Sequence, residues 1–315
     1  MKTRVAAVFP GQGSQSLGMG TEIARTSPVA LELFTRAGEI LGYDLLELVH
    51  DGPEERLRET MYSQPAIFVT NCALYYAAAA AVEPIVSAGH SFGELCSLTI
   101  SDALSFDAAL RIVDERGKAM QHAAELAPGA MAAVMGMKAD DIRDVVARSN
   151  ARCGQVAQLA NFNSPSQIVI SGDREAVRSA GDALLEAGAK RVVPLNVSGA
   201  WHSNLMEPAI ERFSAAVETA EFSLPRFDII SNVDAKPYRD VAAIRRNLVR
   251  SITSEVRWHE TAELLVSYEV DAVVEFGAGP VLGPLIKRLA GAPTVLQVSD
   301  SSGIEKLETR EWAKA

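Results

Sequence analysis

A serine between two glycines is the part of the chain best suited to covalent chemistry. Ser91 is the central residue of Gly-His-Ser-Phe-Gly at 89–93, which has the G-x-S-x-G pattern. An apolar run typical of a strand precedes it at 82–88, and helical apolar spacing follows at 95–109. On a sharp strand-to-helix turn, a Cβ atom at either glycine would collide with the neighbouring backbone. The pattern predicts a nucleophilic Ser91, with a chance match in a glycine-containing turn as the alternative.

The helix that follows the serine predicts a site for negative charge. Its first backbone N–H groups have no partner inside the helix, and the helix dipole places positive potential at the same end. The N–H of Phe92 is therefore predicted to stabilise the oxyanion that forms when Ser91 attacks a carbonyl. This arrangement favours an acyl-enzyme intermediate.

Alternating strand-like and helix-like segments must position this serine. Apolar runs typical of strands recur along the chain, and stretches with helical periodicity separate them. This alternation predicts an α/β fold with a mainly parallel sheet. The polar tail at 300–315 is predicted to be a loose terminal helix. The predicted strands are residues 4–9, 85–88, 130–135, 167–171, 191–197, 228–231 and 272–276.

Residues 129–196 are predicted to form a separate unit. Their order is strand, helix, two strands, helix and strand, which is the βαββαβ pattern of a ferredoxin-like subdomain. The apolar α/β pattern resumes after this unit. The predicted organisation is a catalytic domain formed by 1–128 and 197–315, with the ferredoxin-like subdomain inserted at 129–196.

Charge and cysteine content disfavour several classes of partner. The 315 residues carry a formal net charge of −10, and both nucleic acid and anionic membranes need clustered positive charge. The three cysteines are scattered and lack C-x-x-C spacing, so neither a disulfide framework nor a zinc site is indicated. Apolar runs stay well below the ~20 residues that a spanning helix needs. The sequence predicts a cytoplasmic protein without a metal.

Together with the serine motif, four further motifs resemble the malonyl-CoA:acyl carrier protein transacylase family. The resemblance extends over roughly residues 4–290, with all motifs in the family's order. It implies an α/β-hydrolase-like core that carries a ferredoxin-like subdomain, in agreement with the element pattern. The motifs are Phe-Pro-Gly-Gln-Gly-Ser-Gln at 9–15, Gly-His-Ser-Phe-Gly-Glu at 89–94, Arg-Gly-Lys-Ala-Met-Gln at 116–121, Asn-Phe-Asn-Ser-Pro at 161–165 and Gly-Ala-Trp-His-Ser at 199–203.

The resemblance implies roles for residues around the serine. His202 matches the general base, which takes the serine proton and returns it to the leaving thiol, and an ordinary histidine pKa near ~6.5 suits both steps. The family orients this histidine through backbone carbonyls, and Ser251 stands where glutamine is usual. Gln12 matches the second oxyanion donor, whose backbone N–H acts together with that of Phe92.

Three side chains are implied to select the acyl group. Arg116 matches the arginine that binds the malonyl carboxylate through two hydrogen bonds, whereas spacing alone favours a surface charge on a helix at 108–122. Gln64 matches a further pocket residue. Trp201 departs from the family, because malonyl-selective polyketide members usually have phenylalanine there, methylmalonyl-selective members serine, and fatty-acid members sometimes serine. The larger ring favours malonyl by filling the space of an α-methyl group, or it reshapes the pocket for an unusual acyl group.

The implied reaction moves malonyl from malonyl-CoA to the phosphopantetheine thiol of an acyl carrier protein, with no tightly bound cofactor. The alternatives are a trans-acting polyketide acyltransferase for an unusual acyl group, an acyl hydrolase on the same fold and a non-enzymatic carrier-docking protein. A buried Arg116 would disfavour the hydrolase, since uncharged acyl chains gain nothing from a buried cation. Carrier proteins are generally acidic, so the candidates for docking are Lys190, Arg191, Arg245, Arg246, Arg250, Lys287 and Arg288.

Overall fold

A five-stranded parallel sheet lies at the centre of the computed structural model, which describes residues 2–314. The first strand of the chain lies in the middle, so its carboxyl end is beside that of the second strand, where the serine motif begins. Across the sheet the strands follow in the order β7 (Asp228–Ile229), β2 (Val82–Gly89), β1 (Thr3–Phe9), β8 (Ala272–Phe276) and β9 (Thr294–Val298), each neighbouring pair being parallel.

Helices cover both faces of this sheet, which explains why its central strand is apolar almost throughout. In β1, Val5 and Ala7 face one apolar core, and Ala6 and Val8 face another. The helices are α1 (Thr21–Thr26), α2 (Pro28–Leu41), α3 (Leu45–Asp51), α4 (Glu54–Arg58), α5 (Thr60–Ala78), α6 (Gly93–Ile100), α7 (Phe106–Leu126), α10 (Ile210–Thr219), α11 (Val241–Arg250), α12 (Trp258–Ser267), α13 (Gly283–Ile286) and α14 (Ser301–Thr309), with short 3₁₀ segments at Asn204–Ala209 and Glu311–Lys314.

A second sheet, antiparallel and four-stranded, comes from the middle of the chain. Its strands are β3 (Gly129–Met135), β4 (Ala157–Ser164), β5 (Gln167–Asp173) and β6 (Arg191–Pro194), in the order β4-β5-β3-β6. Helices α8 (Ala139–Cys153) and α9 (Arg174–Glu186) pack on it around an apolar core of their own. Within this unit the element order is the predicted βαββαβ, while the domain borders at 128/129 and 196/197 stay a prediction.

Two helices replace the single helix predicted at 95–109. Ser105 caps α7 by accepting the Ala108 N–H at 3.2 Å. Asp102 lies between α6 and α7 with a left-handed backbone (φ 58°), which a right-handed helix excludes. The apolar spacing continues across the break because both helices bury residues in the same core.

Sheet edges and the tail also differ from the prediction. Strand β9 has no predicted counterpart, because it is an edge strand with mostly half-buried residues and a weak apolar signal. Strands β6 and β7 are shorter than predicted. The tail helix α14 is anchored rather than loose, since Asp300 accepts the Gly303 N–H at 3.0 Å and Leu307 is buried. Within residues 2–314, no helix combines the length and apolar character needed to cross a membrane.

Candidate active site

Ser91 lies on the turn between β2 and α6, with a left-handed backbone (φ 55°). The two glycines permit this turn. A Cβ atom on Gly89 would lie 1.8 Å from the carbonyl carbon of Gly93, and one on Gly93 would lie 2.4 Å from the carbonyl oxygen of Phe9. Neither position tolerates a side chain, which is the steric requirement predicted for the motif.

His202 reaches the serine from the loop that precedes the 3₁₀ segment at Asn204–Ala209. Its Nε2 lies 2.9 Å from Ser91 Oγ, and its Nδ1 lies 2.8 Å from the carbonyl oxygen of Ser251. A carbonyl only accepts, so Nδ1 carries the proton and Nε2 accepts from the serine hydroxyl. Because Ser251 contacts His202 through its backbone carbonyl, the side chain at this position is not part of the contact. Serine can therefore replace the glutamine that the family resemblance leads one to expect.

Burial keeps the imidazole neutral. His202 is 3% exposed, and burial followed by the nearby charge of Arg116 lowers its pKa from 6.5 to about 3. Hydrogen bonding to the Ser251 carbonyl acts in the opposite direction, because it favours the protonated form. The ring is therefore an unprotonated acceptor at neutral pH, and its pKa lies below the ordinary value near 6.5 that was expected from the sequence.

Arg116 is buried beside the serine, in contrast to the surface position that its spacing favoured. It is 1% exposed, and it donates to Gln64 Oε1 at 2.9 Å and to Ser91 Oγ at 3.2 Å. Within residues 2–314 no carboxylate lies within ion-pair distance of this guanidinium. Burial lowers its pKa to about 9, and the more distant charge of Glu94 raises it, so the side chain stays cationic at neutral pH.

The two residues implied to supply the oxyanion donors, Phe92 and Gln12, lie close to Ser91, since Phe92 follows it in the chain and Gln12 lines the same cavity. Phe92 lies at the start of α6, and Gln12 lies in the loop after β1. This loop passes close to the elbow, since a Cβ atom on Gly11 would lie 2.6 Å from the His90 carbonyl oxygen and 3.6 Å from Ser91 Cβ. Neither the Phe92 N–H nor the Gln12 N–H finds a hydrogen-bond acceptor among residues 2–314. Both remain available to a ligand.

Ser91, His202, Arg116 and Gln12 line a cavity of about 420 Å³, and strands β3, β4 and β5 contribute residues to its wall. Trp201 lines it as well, and the far edge of its indole lies against Gly199, where a Cβ atom would approach that edge to 2.6 Å. At the rim are Arg288, Leu195 and Val281. The residues described contain no group of three or more His, Cys, Asp or Glu placed to hold a metal ion.

The structure brings all eight predicted site residues together, and it adds several that the sequence pattern did not reveal. His90 lines the cavity, and its Nε2 lies 3.0 Å from Asn163 Oδ1, so it pairs with Asn163 rather than with Ser91. Asn232 accepts a hydrogen bond from the Ser91 backbone N–H, and Glu94 accepts one from the Asn232 side chain. Glu94 belongs to the serine motif, whereas no pattern singles out Asn232.

Among the proposed docking cations, Arg288 lies at the cavity rim, while Arg245 is engaged elsewhere. The Arg245 guanidinium donates to the carbonyl oxygens of Val217 at 2.5 Å and Ala220 at 2.7 Å, at the end of α10. It also packs over the Phe222 ring. Arg245 thus serves the C-terminus of a helix, where its charge is favourable.

A serine on a strand-to-helix elbow whose hydroxyl is hydrogen-bonded to a histidine is typical of the class of serine enzymes that transfer or hydrolyse acyl groups. The sequence profile of the acyl transferase domain family matches residues 7–294, and the chain belongs to that family. Similar curated proteins include the malonyl CoA-acyl carrier protein transacylase of Haemophilus influenzae, 39% identical over 97% of this chain and 98% of the relative. The enzyme of the same name from Escherichia coli K12 is 40% identical over 96% and 98%.

Solved structures agree in fold over the whole chain. The malonyl CoA-acyl carrier protein transacylase of Coxiella burnetii has a TM-score of 0.93 at 36% identity and covers 98% of both chains. A malonyl-transacylase in complex with a type II PKS acyl carrier protein has a TM-score of 0.92 at 39% identity, covering 98% of this chain and 100% of the other. The predicted family and fold class are therefore confirmed.

Proposed function

We propose that this protein transfers malonyl from malonyl-CoA to the phosphopantetheine thiol of an acyl carrier protein through an acyl-enzyme on Ser91. One observation supports malonyl as the acyl group. Arg116 is a buried cation in contact with the nucleophile, and it has no carboxylate partner within residues 2–314. A buried charge without a counterion is costly, and a planar guanidinium binds a carboxylate through two parallel hydrogen bonds. The free carboxylate of a malonyl group supplies that partner.

The first half-reaction forms the ester. Ser91 Oγ attacks the thioester carbon, and its proton passes to His202 Nε2 over the 2.9 Å hydrogen bond. The oxyanion accepts from the N–H groups of Phe92 and Gln12. The carbon–sulfur bond then breaks, and the CoA sulfur leaves with the proton from His202. Malonyl remains on Ser91 as an ester. Its carboxylate binds Arg116, and Gln64 lies beside Arg116.

The second half-reaction follows the same steps in reverse order, with the thiol of the carrier in place of CoA. The phosphopantetheine thiol of the carrier gives its proton to His202 and attacks the ester carbon, and Ser91 leaves with that proton. In both halves the Ser251 carbonyl stabilises the imidazolium by accepting from Nδ1 at 2.8 Å. A neutral carbonyl thus performs the orienting task that an aspartate performs in other serine enzymes.

The carrier protein is proposed to approach at the cavity rim. Arg288 supplies positive charge there, and Leu195 and Val281 supply exposed apolar surface. An acidic carrier would be attracted to such a cation even though the whole chain is acidic. Trp201 is proposed to restrict the space beside the α-carbon of the acyl group. A cytoplasmic location stays a prediction, supported by the free buried thiols of Cys72 and Cys96.

Mass spectrometry of the intact protein tests this function. After mixing with malonyl-CoA, we expect a malonyl adduct on Ser91 that disappears when a carrier protein bearing phosphopantetheine is added and reappears on the carrier. Ser91→Ala should fold normally, since this hydroxyl is not part of the apolar core, and should form no adduct. A malonyl adduct on Ser91→Ala at full strength would overturn the assignment, and rapid release of free malonate without a carrier would favour the hydrolase alternative.

A further inference from the structure

A side chain from a distant part of the sequence holds the backbone of Ser91. Asn232 Oδ1 accepts the Ser91 N–H at 3.1 Å, and Asn232 Nδ2 donates to the Ser91 carbonyl oxygen at 3.1 Å. One amide thus binds both polar backbone groups of the nucleophile. Ser91 has a left-handed backbone (φ 55°), which is uncommon for a residue with a side chain and persists only where the surroundings enforce it.

A buried carboxylate fixes the orientation of that amide. Glu94 Oε2 accepts from the Asn232 backbone N–H at 2.8 Å and from Asn232 Nδ2 at 2.6 Å. Glu94 Oε1 accepts the Tyr238 hydroxyl at 2.5 Å. Because Glu94 Oε2 accepts from Nδ2, the amide nitrogen faces Glu94, and Oδ1 is then left to accept from the Ser91 N–H. The Glu94 N–H also donates to the Ser91 carbonyl oxygen at 3.2 Å, which closes the ring.

The Glu94 carboxyl group is buried among hydrogen-bond donors. Glu94 is 2% exposed, and burial raises the pKa of its carboxyl while the hydrogen bonds from Tyr238 and Asn232 lower it. The buried cation Arg116 interacts with Glu94 and lies on the cavity side, where it contacts Ser91 Oγ. The three hydrogen bonds from Tyr238 and Asn232 are the partners that a buried carboxyl group requires.

We propose that Asn232 is a positioning residue for the reaction of Ser91, and that Glu94 and Tyr238 act through it by fixing its amide. A shift of the Ser91 backbone would move Oγ away from His202, and it would also move the Phe92 N–H that follows in the chain. Both contacts strengthen as the transition state forms, so their loss lowers kcat more than it raises KM. The acyl group assumed here rests on the proposed function, whereas the positioning of Ser91 applies to any electrophile.

The main test compares two asparagines that make the same kind of contact. Asn150 donates to the Ala157 carbonyl oxygen at 2.7 Å and accepts the Ala157 N–H at 2.9 Å, within the antiparallel-sheet unit. We expect Asn232→Ala to lower kcat for malonyl transfer by about 10²-fold, with little change in KM for malonyl-CoA. Asn150→Ala should retain the wild-type kcat. Equal effects of the two variants would show a merely structural role and overturn the proposal.

A serine-directed fluorophosphonate gives a readout that does not depend on the acyl group. Its rate of labelling Ser91 should fall in Asn232→Ala and stay unchanged in Asn150→Ala, with thermal melting confirming that both variants fold. Wild-type labelling of Asn232→Ala would contradict the proposal. If the wild-type protein is labelled in this Asn232-dependent way but accepts no malonyl, the proposed function fails and the positioning role stands.

A double-mutant cycle tests whether Glu94 acts through Asn232. Glu94→Gln alone should slow labelling, and Tyr238→Phe, which removes one hydroxyl and keeps the ring, should slow it less. In the Asn232→Ala background, Glu94→Gln should add almost no further loss, because the element it orients is already absent. Losses that multiply would show that Glu94 acts independently of Asn232, and an unchanged rate in Tyr238→Phe would remove Tyr238 from the relay. If the alanine variant fails to fold, Glu94→Gln and Tyr238→Phe keep the test valid, because unchanged labelling in both would overturn the proposal.

Discussion

Nη2 of Arg116 lies 3.2 Å from Oγ of Ser91, so the buried cation contacts the nucleophile itself. The same oxygen lies 2.9 Å from Nε2 of His202. Nη1 and Nη2 of Arg116 each carry a second hydrogen besides the ones given to Gln64 and Ser91, so a carboxylate that binds the remaining N–H groups would lie beside the nucleophile. The residue proposed to select the acyl group and the residue proposed to transfer the proton therefore contact the same oxygen atom. Substitutions of Arg116 and of His202 should differ in their kinetic effects.

Removing the cation should change which acyl group is transferred. We expect Arg116→Ala to lower kcat/KM for malonyl-CoA by the equivalent of about 2–5 kcal/mol, because a buried carboxylate would lose its charged partner. Transfer of acetyl should persist or improve, since an uncharged group no longer enters beside an unpaired cation. Arg116→Lys should recover only part of the malonyl activity, because an ammonium cannot form two parallel hydrogen bonds.

The measurement is the ratio of kcat/KM values for malonyl-CoA and acetyl-CoA. Arg111 provides a matched control, because it places the same side chain on an exposed position of α7. Arg111→Ala should leave the ratio unchanged. An equal loss of both activities in Arg116→Ala would assign the arginine to the structure of the site and remove the main support for malonyl.

Removing the base should affect the rate of acylation. His202→Ala is expected to slow ester formation by ~10²–10⁴-fold, the usual contribution of a positioned general base. The burst of CoA release on mixing with malonyl-CoA measures this step directly. Ser251→Ala should retain the wild-type burst, because it keeps the carbonyl oxygen that lies 2.8 Å from His202 Nδ1. A normal burst in His202→Ala would mean that another group deprotonates Ser91.

The same histidine should make stability depend on pH. Its pKa is lowered from 6.5 to about 3 in the folded protein, first by burial and then by the charge of Arg116. Between these values the unfolded chain binds a proton that the folded chain does not. The free energy of unfolding therefore falls as pH falls from about 6.5 towards 3, by up to about 1.4 kcal/mol per pH unit for this one group.

Urea denaturation at several pH values measures this dependence. His90 and Glu94 are buried and also have shifted pKa values, so the informative quantity is the difference between the wild-type protein and His202→Gln. The variant should lose stability less steeply in the acid window. Identical slopes would show that His202 does not carry a lowered pKa. In Arg116→Ala the pKa of His202 should rise, which histidine NMR detects.

The serine elbow was predictable from sequence because its constraints are local. Gly89 and Gly93 are required by backbone contacts within the turn and with β1, and such requirements fix residue types at fixed spacing. The orienting carbonyl of Ser251 is different, because a backbone atom leaves no requirement on the side chain. Its position came only through the family resemblance. The strand β9 escaped prediction because its apolar signal is weak at the edge of the sheet.

Asn232 escaped prediction for another reason. It lies 141 residues from Ser91 in the chain, and it joins the site only because β7 pairs with β2. An asparagine after a short strand has the same pattern whether it ends a turn or binds a catalytic backbone. The burial of Arg116 was equally hidden, since Asp114 and Glu115 beside it give the helix a polar pattern there. Long-range packing, rather than local sequence preference, determines both the position of Asn232 and the burial of Arg116.

Trp201 should determine how much space the α-carbon of the acyl group finds. Trp201→Ser is expected to admit methylmalonyl, with a gain limited to the ~1–3 kcal/mol that one methyl-sized change in a pocket supplies. The substitution also removes a buried ring that packs with Gly199 and Ala124, so a loss of stability of about 3–5 kcal/mol is expected at the same time. Lower activity towards every substrate would reflect that loss alone.

Comparison with a second variant separates specificity from stability. Trp201→Phe keeps an aromatic ring in the core and should lose less stability, while opening less space than serine does. Across the wild-type protein, Trp201→Phe and Trp201→Ser, the ratio of kcat/KM for methylmalonyl-CoA to that for malonyl-CoA should therefore rise in order. The ratio is independent of the amount of folded enzyme, because both substrates meet the same active fraction. A constant ratio would place the indole away from the α-carbon and identify Trp201 as a residue of the core.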